Sequence, residues 1–306
     1  MPSERVSDLP ASDLLARLTR DRREHPARIS EVLRARRRRP LWTESGTLFL
    51  IAADHPARGV LKAGRDPRAM ADRGELLRRV LVALERPGVD GVMATPDVVE
   101  DLALLGALEG KVVFGSMNRG GLGGSVFELD DRFTAYAATQ IQADGLDGGK
   151  MMVRVADDDP ATLRTLSAAA EAINDLAFRR LPAMVEVFAS RLVNGRAVNV
   201  EDAAALQRAV AIVSGLGRTS AYTWLKLPVV DDMASLMRAT SLPTLLLGGD
   251  PGPDAEATYA LWERAMAIPQ VCGLVAGRAL LYPEHDDVAR AVDEAAAVVA
   301  RRARVR

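Results

Sequence analysis

Four ionisable side chains sit inside apolar runs of strand length. Lys226 interrupts TWLKLPVV (223–230), and Lys150 lies in GGKMMVRV (148–155). Glu186 lies in PAMVEVFAS (182–190), and Asp54 falls near the end of LFLIAADHP (48–56). A lysine in a buried strand loses its hydration, so it must snorkel out, pair with a carboxylate, or give up its proton. The last outcome makes an amine nucleophile. Carboxylates beside it would move protons, and a second ammonium would polarise a hydroxyl or oppose charge on the first lysine. Each residue also has a purely structural reading. A buried Lys–Glu pair can be an ion pair and nothing more, and an aspartate at a strand end often caps the next helix.

The runs that carry these residues belong to a series. Besides the four above, GVDGVMATP (88–96), KVVFGSMN (111–118), PTLLLGGD (243–250) and VCGLVAGRAL (271–280) read as strands. Segments rich in Ala, Leu and Arg, of helical pattern, separate them. The runs are continuous rather than alternating, as in parallel strands buried on both faces. Eight such units in sequence predict a single (β/α)8 TIM barrel, with a doubly wound open sheet as the runner-up. No G-x-G-x-x-G follows the first strand, which weakens a dinucleotide-binding reading, and no cofactor is expected. The first 44 residues read as a charged N-terminal helical extension, and 45–306 as the barrel. RARRRR (34–39) reads as a solvated helix end, or else as an anion or nucleic-acid patch.

Barrel chemistry belongs at the C-terminal ends of the strands. Asp54 and His55 end the first strand, and Ser116 and Asn118 the third, followed by RGGLGG from Arg119, a lid or merely a flexible loop. Lys150 and Arg154 share a face of the fourth. Glu186 shares one with Met184 and Phe188 on the fifth, and Lys226 one with Trp224 and Pro228 on the sixth. Two carboxylates and two lysines are thus predicted to converge inside the barrel. Gly248 and Gly249 after the seventh strand, with Gly277 and Arg278 after the eighth, place small residues and a guanidinium where an anion could approach backbone N–H groups. The plainer alternative there is ordinary turn glycine.

Composition narrows the partners. The chain has 306 residues, 48% hydrophobic and 26% charged, with a net charge of −1. No overall field steers it to nucleic acid, and 4% aromatics argue against a stacking platform for single strands. No run is apolar for long enough to span a bilayer, and no signal pattern opens the chain, so a cytoplasmic protein is expected. The single Cys272 excludes an intramolecular disulfide framework. With only His25, His55 and His285, metal-free chemistry is favoured over a metal-dependent reaction. The N-terminal extension could pack on a second subunit, which leaves a homo-oligomer open.

The strand-by-strand pattern from Leu48 to about Leu281 resembles the class I aldolase superfamily, in particular tagatose-1,6-bisphosphate aldolase and its sulfofructose-phosphate relatives. That resemblance implies a Schiff base on Lys226 in WLKLP, an aspartate at Asp54 in AADHPARG, a second lysine at Lys150 and a glutamate at Glu186 in MVEVF. The whole chain also resembles a narrower bacterial family that shares AADHPARG, RGGLGGSVFELDDRF and DGGKMMVRV. That family is provisionally named deoxyribose-phosphate aldolase and is associated with myo-inositol catabolism. The resemblance implies a phosphorylated sugar substrate and cleavage of 2-deoxy-5-keto-gluconate 6-phosphate to dihydroxyacetone phosphate and malonate semialdehyde. Other sugar-phosphate aldolase reactions, or a non-catalytic sugar-phosphate-binding barrel, are the alternatives. Glu186 would then shuttle protons, Asp54 would orient a hydroxyl, and Arg58, Arg119 and Arg154 would meet a substrate carboxylate. Bringing a lysine from about 10.4 to near 7 takes about 4.6 kcal/mol of differential interaction, which the site would have to supply.

Overall fold

A computed structural model describes residues 5–42, 44–200, 202–252 and 254–303. Nine strands form one sheet: β1 (Leu48–Ala52), β2 (Gly91–Ala94), β3 (Val112–Ser116), β4 (Gly148–Val155), β5 (Ala183–Val193), β6 (Arg196–Asn199), β7 (Thr223–Leu227), β8 (Thr244–Leu247) and β9 (Val271–Ala276). All but β6 pair in parallel, in the order β4-β3-β2-β1-β9-β8-β7-β5, and β4 pairs β5 to close the ring. The eight parallel strands and their surrounding helices make a (β/α)8 barrel.

The strands are apolar on both faces because both are covered. Phe49, Ile51, Val185, Val187, Leu225 and Leu227 face the helices. Leu48, Leu50, Ala52, Met93, Met184 and Trp224 fill the barrel. The period of two then decides where the ionisable residues point. After Ala52, Met184 and Trp224, the next inward positions are Asp54, Glu186 and Lys226. Asp72, Asp202, Asp232 and Asp254 cap the helices that follow them, each accepting from a backbone N–H three residues on. Asp54 caps nothing: the single turn after it, Pro56–Arg58, has no side-chain cap.

β6 was not expected from the apolar runs. β5 outruns the barrel, turns at Asn194–Gly195 with both φ values positive (51° and 73°), and returns antiparallel as β6. Asn-Gly is the two-residue hairpin signal, and it stands in the sequence. It was passed over because its flanks, SRLV and RAVN, are too polar to read as buried strand.

The N-terminal extension differs in detail from the expected single run. Its described residues hold two α-helices, α1 (Ala11–Glu24) and α2 (Arg28–Ala35), broken around Pro26 and preceded by a single 3-10 turn at Val6–Asp8. They pack on α3 (Arg73–Leu84) and α4 (Pro96–Leu104). Leu14, Leu18 and Leu33 join the same core as the barrel helices. The arginine run is neither a solvated helix end nor a free basic patch. The helix stops at Ala35, and Arg36 turns to extended backbone. Arg36 is buried and donates to Lys111 O at 2.8 Å, Gly145 O at 2.7 Å and Asp147 Oδ2 at 2.9 Å. Arg38 reaches the other oxygen of Asp147, and Arg39 pairs with Asp90. Asp90 and Asp147 in turn accept from Phe49 N and Val113 N on the strands. The arginines clasp the extension across the floor of the barrel, and Trp42 packs 4.7 Å from Trp224 beneath the interior.

Arg36→Ala should cost about 3–5 kcal/mol in urea unfolding, because it removes one side of a buried ion pair. Arg38→Ala, at an exposed guanidinium, should cost under about 1 kcal/mol. Equal, small losses would show that the clasp does not hold the extension.

Candidate active site

A cavity of about 240 Å³ opens at the C-terminal ends of the strands. Asp54, Lys150, Glu186 and Lys226 line its floor, and each is almost wholly buried. Glu186 bridges the two lysines. Lys226 Nζ donates to Oε1, and Lys150 Nζ lies 2.5 Å from Oε2. Lys150 also donates to Asp54 Oδ2 at 3.0 Å. The same oxygen accepts from Arg119 Nη1 at 2.9 Å and Ser116 Oγ at 2.8 Å, and Arg119 reaches back to the Asp54 carbonyl.

Burial pushes the Lys226 amine down from its ordinary value, since a charged ammonium there is poorly solvated. Glu186 opposes that shift and the Lys150 cation adds to it, with the net result downward. Burial alone would raise Asp54 and Glu186. Arg119 and Lys150 outweigh it at Asp54, and Lys150 and Lys226 outweigh it at Glu186, so both carboxyls are held well below the usual carboxylate range. With Lys226 neutral, Asp54 and Glu186 are balanced by Arg119 and Lys150.

The other expected residues fall into two groups. Arg58, Arg119 and Arg154 line the cavity, as do Gly248, Gly249, Gly277 and Arg278. Ser116 and Asn118 stand behind it. Ser116 steadies Asp54, and Asn118 exchanges two hydrogen bonds with the Met152 backbone, at 2.6 and 2.7 Å. Arg58 and Arg154 share Asp131, whose side chain is sealed from solvent, and Arg154 also pairs with Glu128. Arg58 Nη1 is buried without a hydrogen-bond partner. Arg278 pairs with Asp250 at 3.2 Å. Six basic side chains against three carboxylates border the cavity, which suits an anionic ligand.

Sequence reasoning passed over Asp131, Glu128 and Asn199. The acidic run ELDD follows the glycine loop, but nothing in its spacing says which carboxylate turns inward. The loop itself is anchored: Gly123 N donates to Arg58 O at 2.8 Å and Gly120 N to Arg132 O at 3.1 Å. His55 lines the cavity beside Asp54 and is held neutral, its value lowered to about 3. Burial is the main cause, Arg278 and Lys226 add to it, and Asp54 opposes it. No cluster of three or more His, Cys, Asp or Glu side chains suited to a metal occurs among the described residues. No helix among them is long and apolar enough to cross a membrane.

A model of the Cgl0159-like family matches residues 46–296. The chain belongs to that family. It is 50% identical to Cgl0159 of Corynebacterium glutamicum, a structural-genomics crystal structure, covering 94% of this chain and 97% of that one with a TM-score of 0.91. More distant solved structures share the barrel. An archaeal fructose-1,6-bisphosphate aldolase, solved with its catalytic lysine bound to the carbinolamine intermediate of the substrate, is 16% identical, with a TM-score of 0.65 over 89% of this chain and 99% of that one. A fructose-bisphosphate aldolase from Slackia heliotrinireducens is 12% identical, with a TM-score of 0.64 over 83% and 81%. No curated protein matches the chain. Family membership accounts for the barrel; the chemistry of the cavity stands on its own geometry.

The unfolded chain takes up protons on Asp54 and Glu186 near their ordinary 3.8 and 4.5, and the folded chain only at lower pH. Below about pH 4.5 the unfolded state therefore binds more protons. The stability these carboxylates contribute at neutral pH is lost as pH falls toward their folded values. Urea unfolding should show that decline below about pH 5, and Glu186→Gln should flatten part of it. An unchanged slope in the variant would contradict the ionised pairing.

Proposed function

We propose that the protein is a class I aldolase acting on a ketose phosphate, with Lys226 as the Schiff-base lysine. The observation that carries this reading is the state of Lys226: buried, pushed toward the neutral amine, and facing the cavity beside Glu186, Lys150 and Asp54. The shared fold with aldolases described as forming a Schiff base or a lysine carbinolamine is consistent with it.

Lys226 Nζ attacks the ketone carbon, and the carbinolamine loses water to give an iminium. The iminium draws in the electrons of the adjacent carbon–carbon bond as the neighbouring hydroxyl gives its proton to Glu186, and the bond breaks to an enamine and an aldehyde. Protonation and hydrolysis of the enamine release the ketose fragment. Glu186, in contact with both lysines, takes the proton that Lys226 gives up and returns it. Lys150 steadies negative charge developing on the substrate oxygen, and Asp54, fixed by Ser116 and Arg119, orients the hydroxyl. Gly248, Gly249, Gly277 and Arg278 hold the phosphate.

The finer reading is a substrate with an anion at each end. Around the eight-strand ring, β9, which leads into Gly277–Arg278, lies opposite β4, which carries Arg154. Arg154 and Arg58 meet at Asp131 on that far side, with Arg58 Nη1 unpartnered. 2-Deoxy-5-keto-gluconate 6-phosphate has this form, with phosphate at one end and carboxylate at the other. Arg58 is assigned to the carboxylate, with Arg119 and Arg154 around it.

Incubation with dihydroxyacetone phosphate and sodium borohydride should leave a stable adduct on Lys226, located by peptide mass mapping and absent in Lys226→Ala. Lys150→Met removes a cation that opposes charge on Lys226, so trapping should move to higher pH. No adduct in the wild-type protein, or one on Lys150, would overturn the assignment. Arg58→Ala should keep the dihydroxyacetone phosphate adduct while raising KM for the carboxylate-bearing ketose phosphate by about tenfold or more.

A further inference from the structure

His55 has no task in the chemistry above, yet its ring borders the cavity between Asp54 and the Gly277–Arg278 turn. The packing there is close. A Cβ on Gly277 would lie 2.4 Å from Ala52 O, which excludes a side chain there, and 3.0 Å from His55 Cε1, which shows how closely the ring sits against the chain that leads into Arg278. His55 Nδ1 is buried and has no hydrogen-bond partner. Asp54 Oδ1 lies 3.9 Å from it, too far for a hydrogen bond but near enough to stabilise an imidazolium. The charged groups that act on the ring are Asp54 and Glu186 on one side of the balance, and Arg278 and Lys226 on the other.

An anion seated on Gly277 and Arg278 changes that balance. It offsets the guanidinium that opposes protonation and puts negative charge beside the ring, while Asp54 is already in place behind Nδ1. We propose that His55 is the protonatable member of the phosphate site: binding of a phosphate-like dianion takes up one proton from water onto the imidazole, which is then held between the anion and Asp54. No other bond is made or broken. The substrate's own phosphate thereby brings a second acid into the cavity, in addition to the proton that Glu186 carries, beside the lysine whose carbinolamine must lose water. This inference rests on Gly277–Arg278 being the phosphate site of the aldolase reading.

Sulfate is the probe, because its charge is constant across the neutral range. Calorimetric titration in two buffers of different ionisation enthalpy should show net proton uptake with sulfate binding that grows as pH is lowered from about 7 toward 5. Affinity should fall by about tenfold per pH unit between the free-state and bound-state pKa values of His55 and level off above the latter. In His55→Gln, sulfate should bind more weakly, with no proton uptake and no such pH dependence. Imidazole resonances of the wild-type protein, assigned by the loss of one in that variant, should show His55 passing from neutral to charged on adding sulfate. That arm does not depend on His55→Gln folding, since three histidines can also be assigned by substituting His25 and His285. Binding without proton uptake, uptake unchanged in His55→Gln, or a His55 signal that stays neutral would overturn the proposal. If neither sulfate nor dihydroxyacetone phosphate binds, the phosphate site fails and this inference fails with it. A missing borohydride adduct with sulfate-linked uptake intact would instead count against the Schiff base alone.

Discussion

Glu186 gives one carboxylate oxygen to each of two lysines, and the candidate site depends on that division. A buried carboxylate has to be paired, and a buried ammonium likewise. Here the sum closes without the second ammonium. Asp54 and Glu186 are matched by Arg119 and Lys150, so charge on Lys226 would leave one cation over. Glu186 thus keeps Lys226 in place by hydrogen bonding, while burial, helped by Lys150, outweighs it and disfavours the proton. The use of lysine fits this. The chain has 40 basic residues, of which only Lys62, Lys111, Lys150 and Lys226 are lysine. Arginine does not give up its proton, and the structural ion pairs of the clasp and the mouth are made with it.

The barrel supplies the precision. Three of the four groups stand on or just after a strand whose next inward residue below is packed in the interior, Ala52 under Asp54, Met184 under Glu186 and Trp224 under Lys226, while Lys150 stands above Gly148, whose side-chain space Phe114 fills. A shift of one residue along any of these strands would send the group into the helix layer. At the opposite end, Arg36, Arg38 and Arg39 tie the N-terminal helices to aspartates that accept from strand backbone. The loops at the mouth are tied by a second ion network centred on Asp131, so the cavity wall is built from charge pairs rather than apolar contacts.

Strand alternation made the inner cluster legible in the sequence. Lys226, Glu186 and Asp54 needed only the period of two and the rule that barrel chemistry sits at strand ends. The β5–β6 hairpin was missed although Asn194–Gly195 announced it, because the search followed apolar runs and its strands are half polar. The arginine run was misread for a different reason. Its partners, Asp90 and Asp147, lie tens of residues away, and pairing across that separation has no local signature. Asp131 is hidden in the same way, and His55, though visible at the end of the first strand, gives no local sign of its role. What they do depends on which way a loop or a ring turns, which only the packed structure decides.

The central claim is that the fold disfavours the proton on Lys226, and nitrogen NMR of the lysine amines tests it directly. Four lysines give four side-chain signals, and Lys226→Met identifies one. The account predicts that this signal titrates well below the ordinary 10.5, and that Lys150→Met moves it upward. A Lys226 amine that titrates at or above 10.5 would make the cluster a structural ion pair and leave the site without its nucleophile.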